Sequence, residues 1–259
     1  MRDFVEKFVV PILNKRQWTR VCEIGVSYGF STDRLALLPG VTITVIDPCL
    51  DCDLGKKYAD NPRVTVKKGT SLKELPRLES PFDCILIDGD HNWYTVYHEL
   101  VVIYERDLLK TGGIIFFHDV EWPYGRRDMY YQPEMIPAEH RHACEQKGIV
   151  RGKSELSADA KFNSQYWNAT HEGGTRNGVL TAIEDFLCDH GSEFNFFRVR
   201  GEYGLGMLYR RSRRLKDDLG FVSVECKATA YNIVTWPKRS TKENFPAAVS
   251  LAKSILRRA

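Results

Sequence analysis

The stretch Val21-Cys22-Glu23-Ile24-Gly25-Val26-Ser27-Tyr28-Gly29-Phe30-Ser31 reads as a short apolar strand that breaks into a glycine-punctuated turn, with a helix following. That order is the one used by nucleotide-binding βα units. Gly25 and Gly29 stand where the backbone is expected to pass close to a bound small molecule, because a Cβ there would block the approach. The pattern also departs from the dinucleotide fingerprint. Glu23 stands where the first glycine would be, giving E-x-G-x-x-x-G. A carboxylate at the mouth of the loop repels a pyrophosphate and welcomes a cationic amino-acid group.

A second acid lies further on. Val41 to Ile46 is a β-branched run that reads as the next strand, and it ends at Asp47-Pro48. Asp47 follows Gly25 by 22 residues, close to the separation of about 20 at which an acid reaches a nucleotide ribose in such units. The alternative is a tight turn with an N-cap carboxylate.

Outward from this unit the rhythm continues. Residues 20–24 and 41–46 are strands one and two, and Arg63 to Lys67 is a third, ending at Gly69-Thr70-Ser71. Phe82 to Ile87 is nearly continuous and apolar, as in a strand buried on both faces of a parallel sheet. It ends at Asp88-Gly89-Asp90-His91, and a long helix is expected through Tyr94, Val96, Leu100, Ile103 and Leu108, stopped by Gly112-Gly113. Ile114 to Phe117 is a fifth strand, ending at His118-Asp119. Glu193 to Arg198 and Tyr203 to Tyr209 read as a closing antiparallel hairpin. Strands alternating with helices predict an α/β fold, a doubly wound and mostly parallel sheet of seven strands. Ligands of such sheets sit beyond the carboxyl ends of the strands. Glu23, Asp47, Asp88 to His91 and His118-Asp119 all fall there.

The flanks define the organisation. Phe4, Phe8, Val9, Ile12 and Leu13 recur at helical spacing, so residues 1–17 are an N-terminal helix before a domain over 18–210. Residues 120–176 lack periodicity and are rich in Trp, Tyr, Arg and His, which suits an inserted lid. Gly173-Gly174-Thr175-Arg176-Asn177 reads as the start of a helix capped by Asn177. Residues 211–259 form a basic extension with a helix-like segment from Phe245 to Arg258. The chain carries +3 overall, and residues 210–259 alone carry +8, leaving an acidic body of −5. That balance speaks against a broad nucleic-acid footprint.

At 259 residues, 43% hydrophobic and 27% charged, the chain suits a soluble domain with a sizeable core. No apolar run reaches the roughly 18 residues of a membrane span, and Met1 to Lys7 does not read as a signal peptide. Seven cysteines, some inside strands, fit reduced thiols and a cytoplasmic setting. Cys49 and Cys52 lack a second pair at zinc spacing and read as incidental loop thiols.

With these residues in place, the chain resembles class I S-adenosylmethionine (SAM)-dependent methyltransferases over roughly residues 18–210, in particular the branch of macrolide-sugar O-methyltransferases and cephalosporin-hydroxylase-like proteins. The carriers are Ile87-Asp88-Gly89-Asp90-His91 with Tyr94 and Val96, then Glu99-Leu100, then Gly112 to Asp119. The resemblance implies a SAM-dependent methyltransferase, with the metal ligands Asp88, His118 and Asp119 and a general base at His91. It also implies magnesium or another divalent metal as helper. Where the branch more often has Asp or Glu, this chain has His118, a softer ligand than magnesium prefers. The expected cofactor contacts are Glu23, Gly25, Ser27, Gly29, Ser31, Asp47, Pro48, Thr70, Ser71 and Asp88.

The residues speak separately to the chemistry. Methyl transfer is an in-line displacement, so an enzyme mainly supplies position and a deprotonated nucleophile. His91 lies three residues past Asp88, on the expected first turn of the next helix. A helix N-terminus there favours neutral imidazole, able to accept a proton. Asp88, His91 and His118 are therefore the catalytic set. The plainer reading of Asp88 and Asp90 is N-capping. Tyr94, Trp122, Tyr124, Arg126, Arg127 and Tyr130 are the expected substrate contacts, with Tyr131 beside them; alternatively these insert residues pin a surface loop, with an Arg–Asp128 pair. The expected activity is O-methylation of a hydroxyl on a small or glycosylated, natural-product-like metabolite. N-methylation of a similar amine, an NAD(P)-dependent oxidoreductase and an inactive SAM-binding protein are the alternatives. The expected partners are a small-molecule acceptor and a second copy of the chain, through the N-terminal helix or the tail, and neither a membrane nor nucleic acid.

Overall fold

The computed structural model describes residues 1–49, 52–201, 203–210 and 232–235. Five parallel strands form the heart of one sheet: β1 (Arg20–Ile24), β2 (Thr42–Asp47), β3 (Val64–Lys68), β4 (Phe82–Ile87) and β5 (Leu109–His118). A small sheet follows, from β6 (Met129–Tyr130), β7 (Cys144–Glu145) and β8 (Trp167–Ala169). The chain then returns to the main sheet with the hairpin β9 (Phe194–Arg200) and β10 (Leu205–Arg210), and β11 (Asn232–Thr235) pairs antiparallel with β9 at the edge. The order across the sheet is β11-β9-β10-β5-β4-β1-β2-β3. The seven expected strands are all present, and β11 extends them at one edge. The order reverses beside β1, and the crevice at that reversal is where doubly wound sheets bind ligands.

Residues β4 buries alternate between two cores. Ile85 and Ile87 face one with Ile24, Ile115 and Phe117, against helices α6 (Trp93–Glu105) and α7 (Val179–His190). Cys84 and Leu86 face the other, with Val21, Val45 and Phe116. There they meet α1 (Arg2–Phe4), a π turn over Val5–Val9, α2 (Val10–Arg16) and α3 (Phe30–Ala36). The short helices α4 (Leu54–Lys57) and α5 (Ser71–Glu74) fill the β2–β3 and β3–β4 connections. Phe4, Phe8, Val9, Ile12 and Leu13 are all buried, so the apolar face of the N-terminal helix is covered by its own sheet.

Two boundaries differ from expectation. α6 ends at Glu105, where Arg106 leaves the helix and Asp107 takes a positive φ of 51°. Gly112 and Gly113 therefore do not stop the helix; they sit within β5, where its register with β4 shifts between Phe82 and Cys84. A Cβ at Gly113 would lie 2.9 Å from the Asp83 carbonyl oxygen, so β5 needs glycine where it crosses β4 closely. The Arg211 to Lys216 cluster and the expected helix over Phe245 to Arg258 lie outside the described residues.

Candidate active site

A cavity of about 430 Å³ opens beyond the carboxyl ends of β1, β2 and β4. Of the expected cofactor contacts, Gly25, Ser27, Asp47, Pro48, Thr70, Ser71 and Asp88 line it. Asp47 organises the wall: Oδ2 accepts from the Val26 and Ser27 amides at 2.7 and 3.2 Å, and Oδ1 from the Cys49 amide at 2.6 Å. The acid thus fixes the glycine loop, and Oδ1 retains one further lone-pair site.

Glu23, Gly29 and Ser31 lie behind this wall rather than on it. Glu23 is buried and accepts from the Thr32 hydroxyl at 2.6 Å. Burial pushes its carboxyl up to about 7 against that hydrogen bond. Gly25, at φ 76°, is required by packing: a Cβ there would lie 2.2 Å from the Gly89 Cα. The close approach it permits is between the loops after β1 and β4. Gly29, at φ 84°, precedes α3, and a Cβ there would meet the Tyr58 hydroxyl at 2.2 Å. Its freedom thus serves the start of a helix.

The ends of β4 and β5 bring four side chains together. Asp88, His91, His118 and Asp119 each offer a ligand atom within 4.8 Å of all the others. His91 Nε2 lies 2.7 Å from Asp119 Oδ2 and 3.7 Å from Asp88 Oδ1. His118 Nδ1 lies 3.1 Å from Asp88 Oδ1 and 3.2 Å from Asp119 Oδ2. Burial opposes charge on both imidazoles, yet Asp119 and Asp88 overcome it and raise His91 to about 10, and Asp88 and Asp119 raise His118 to about 9. In return, and against their own burial, Asp88 is held well below the usual carboxylate range and Asp119 at about 2. Two imidazolium charges then face two carboxylates, and the Met1 amino group adds a third cation 3.6 Å from Asp88 Oδ2.

The local structure around His91 departs from expectation. His91 precedes the N-cap of α6, which is Asn92, whose Oδ1 accepts from the Thr95 amide at 2.8 Å. His91 is instead bridged to Met129 of the insert. A helix end therefore does not hold its imidazole neutral; the two carboxylates hold it charged. Asp88 and Asp90 are not caps either, and Asp90 accepts from the Thr95 hydroxyl at 3.0 Å. Two nitrogens and two carboxylate oxygens make a donor set suited to a borderline ion such as zinc or manganese, whereas magnesium seeks oxygens.

Residues 22–120 match the family model described as "Methyltransferase domain". That match spans the five parallel strands from β1 to β5. No curated protein matches the chain. Solved structures similar to it include the SAH-bound methyltransferase PaMTH1 of Podospora anserina, at 16% identity and TM-score 0.48, covering 79% of this chain and 77% of that one. An O-methyltransferase from Bacillus cereus in complex with SAH is 16% identical, with TM-score 0.47, covering 79% and 80%. The O-methyltransferase TomG of Streptomyces achromogenes, involved in tomaymycin synthesis and in complex with SAM, is 15% identical, with TM-score 0.47, covering 80% and 79%.

The insert begins where the matched methyltransferase domain ends, and Asp128 ties the two together. Asp128 Oδ1 accepts from the Trp93 amide at 2.7 Å and the Gly178 amide at 2.6 Å, while Oδ2 accepts from the Tyr130 hydroxyl at 2.8 Å. Asn177 accepts from the Asp128 amide at 2.6 Å and donates to the carbonyls of His171 and Gly173. It is therefore a clasp for the insert and not a helix cap, a place Gly178 takes. Among the described residues no Arg–Asp128 pair forms: Arg126 is spent on Glu184, and the fully buried Arg127 donates to the carbonyls of Ala169 and Ser154. Trp122 stacks on Phe162 at 5.0 Å, under the Arg151 guanidinium. These three expected substrate residues hold the insert together. Of the others, Tyr94 and Tyr130 line the cavity and Tyr124 lies 5.4 Å from the His91 ring. Tyr131 also lines the cavity, joined by three residues the sequence did not single out, Gln132, Met135 and Ile136. None of those three carries a motif that marks it.

No helix among the described residues is long and apolar enough to cross a membrane.

Proposed function

We propose that this chain transfers the methyl group of SAM to a hydroxyl of a small or glycosylated acceptor, with His91 as the base. The observation that carries this reading is the cluster of Asp88, His91, His118 and Asp119 at the edge of a nucleotide-sized cavity, with Asp88 belonging to both. SAM fits the cavity with its ribose at Asp47 and its adenine towards Thr70 and Ser71. The acceptor then lies over the cluster, beside Tyr124 of the insert.

The acceptor oxygen gives its proton to His91 and attacks the methyl carbon in line. The carbon–sulfur bond breaks with its electron pair going to sulfur, leaving S-adenosylhomocysteine. Before ligands bind, Asp119 and Asp88 keep the imidazole protonated. The sulfonium of bound SAM on the Asp88 side opposes that proton and moves His91 towards the neutral form a base requires. Asp119, 2.7 Å from Nε2, then stabilises the imidazolium that forms in the transfer. Asp88, His118 and Asp119 would hold a divalent ion, whose chemistry would be to lower the pKa of an acceptor hydroxyl.

The test is methyl transfer from labelled SAM to a panel of hydroxylated and glycosylated acceptors, with and without divalent ions, alongside calorimetry with SAM and NADH. SAM binding with label transfer that is lost in His91→Ala supports the reading. NADH binding in place of SAM overturns it, and so does transfer that survives His91→Ala at full rate.

A further inference from the structure

Helix α6 is apolar along most of its length, yet Asn92, Thr95 and Glu99 recur at spacings of three and four, which puts them on one face. All three line the cavity. Asn92 and Thr95 are accounted for in part by the N-cap and by Asp90. Glu99 is not. It is fully buried, and both carboxyl oxygens lack a hydrogen-bond partner; among the described residues no other carboxyl group is in that state. A buried unpaired acid costs a fold on the order of several kcal/mol if ionised and still about 1–3 kcal/mol if neutral. Such a cost is sustained where a ligand supplies the missing partners.

We propose that Glu99 reads the adenine of the bound nucleoside, taking a hydrogen bond from the N6 amine and giving one to the adjacent ring nitrogen. This rests on the reading that SAM occupies the cavity. A neutral carboxyl group offers one O–H donor and one C=O acceptor side by side, and an adenine edge presents the complementary pair. Burial favours the neutral form and pushes the Glu99 carboxyl up to about 8, with the nearby Ser71 hydroxyl opposing that shift without closing a hydrogen bond. Ser71 and Leu72 line the same wall as Glu99, and Ile136 closes it from the insert, so the base would be held in an apolar slot with one polar reader. A purine base without the 6-amine keeps the ring-nitrogen acceptor but leaves the carbonyl oxygen of the buried carboxyl group unpaired.

The experiment is calorimetric titration with S-adenosylhomocysteine and its analogue whose base is purine without the 6-amine, of the full chain and two variants, Glu99→Gln and Glu99→Leu. The wild type is expected to prefer the adenosyl ligand by at least tenfold, consistent with about 1–3 kcal/mol for a good bidentate pair. Glu99→Gln keeps one donor and one acceptor and should keep most of the preference, whereas Glu99→Leu should bring the ratio to within about threefold of one. Circular dichroism and melting temperature establish that each variant is folded, and Glu99→Met serves in place of a Leu variant that is not. A wild-type ratio near one, or a folded apolar variant that keeps the full preference, overturns the proposal while leaving SAM binding intact. If the wild type binds neither ligand, the cofactor reading fails and this inference with it.

Discussion

His91 Nε2 lies 2.7 Å from Asp119 Oδ2, so the end of β5 orients the one imidazole that follows β4. The pair crosses two neighbouring strands, and its geometry depends on their register. His91 does not line the cavity, although Asp88 does. Replacing His91 with Ala should therefore lower the rate of methyl transfer by about 10²–10⁴, while SAM affinity changes by less than about threefold. Single-turnover transfer and calorimetry on the same samples separate the two quantities, and a large loss of SAM affinity would contradict the placement of His91.

The mixed donor set makes a statement about metals. Zinc and manganese should bind more tightly than magnesium, and Asp119→Asn should weaken the preferred ion by roughly 10–100-fold, a range measured even for outer partners of metal ligands. Titrations of the purified chain after chelator treatment would check this. Equal affinity for magnesium and zinc would remove the argument from His118.

Glu23 gives a pH signature. Its carboxyl has an ordinary value of 4.5 and sits at about 7 in the fold because of burial. The folded state thus holds the proton more firmly than the unfolded chain, so the contribution of Glu23 to stability is most favourable below about pH 4.5 and falls as pH rises towards 7. The change across that window is on the order of 3 kcal/mol. Glu23→Gln should be close to wild type at pH 5 and more stable by several degrees in Tm at pH 8. A gap that does not widen between those pH values would show that Glu23 is solvated or paired with a cation.

Gly25→Ala tests the loop contact directly. The residue has φ 76°, and the added Cβ would fall 2.2 Å from Gly89 Cα, where only backbone could move. A loss of about 2–4 kcal/mol in chemical denaturation is expected, from left-handed strain together with the clash. A loss under about 0.5 kcal/mol would mean that the two loops are not in contact.

Asp128→Ala should leave two amides and a hydroxyl without their acceptor and destabilise the chain by about 3–5 kcal/mol. Hydrogen exchange should locate the first opening in the insert, around Met129 and Tyr130, with the main sheet still protected. Uniform loosening of the whole chain would argue that the insert and the sheet open as one unit.

The main sheet was legible because its strands are short apolar or β-branched runs bounded by glycine, proline and acidic residues. The polar punctuation at their ends marked the site for the same reason: Glu23, Asp47, Asp88, His91, His118 and Asp119 interrupt apolar sequence where the chain turns over the sheet edge. The insert was not legible. Strands of two or three residues carry no periodicity, and the fates of Arg126 and Arg127 are decided by partners 58 and 42 residues away. Glu99 was visible as part of a motif but not as a cavity residue, since an acid within an amphipathic helix ordinarily points to solvent. Gly112 and Gly113 looked like a helix stop because glycine has that effect in most places, and only the register with β4 reveals their use.

The clasp at Asp128 also sets how molecules can come and go. It joins the insert to the start of α6 and, through Gly178, to the start of α7, so a swing of the whole segment would break several buried hydrogen bonds at once. The exposed rim of the cavity offers the smaller route. Tyr131 and Met135 stand there, 47% and 63% exposed while still lining the cavity. The pace of product departure would then be set by a few side chains turning aside at that rim, and catalysis could proceed beneath a roof that stays shut.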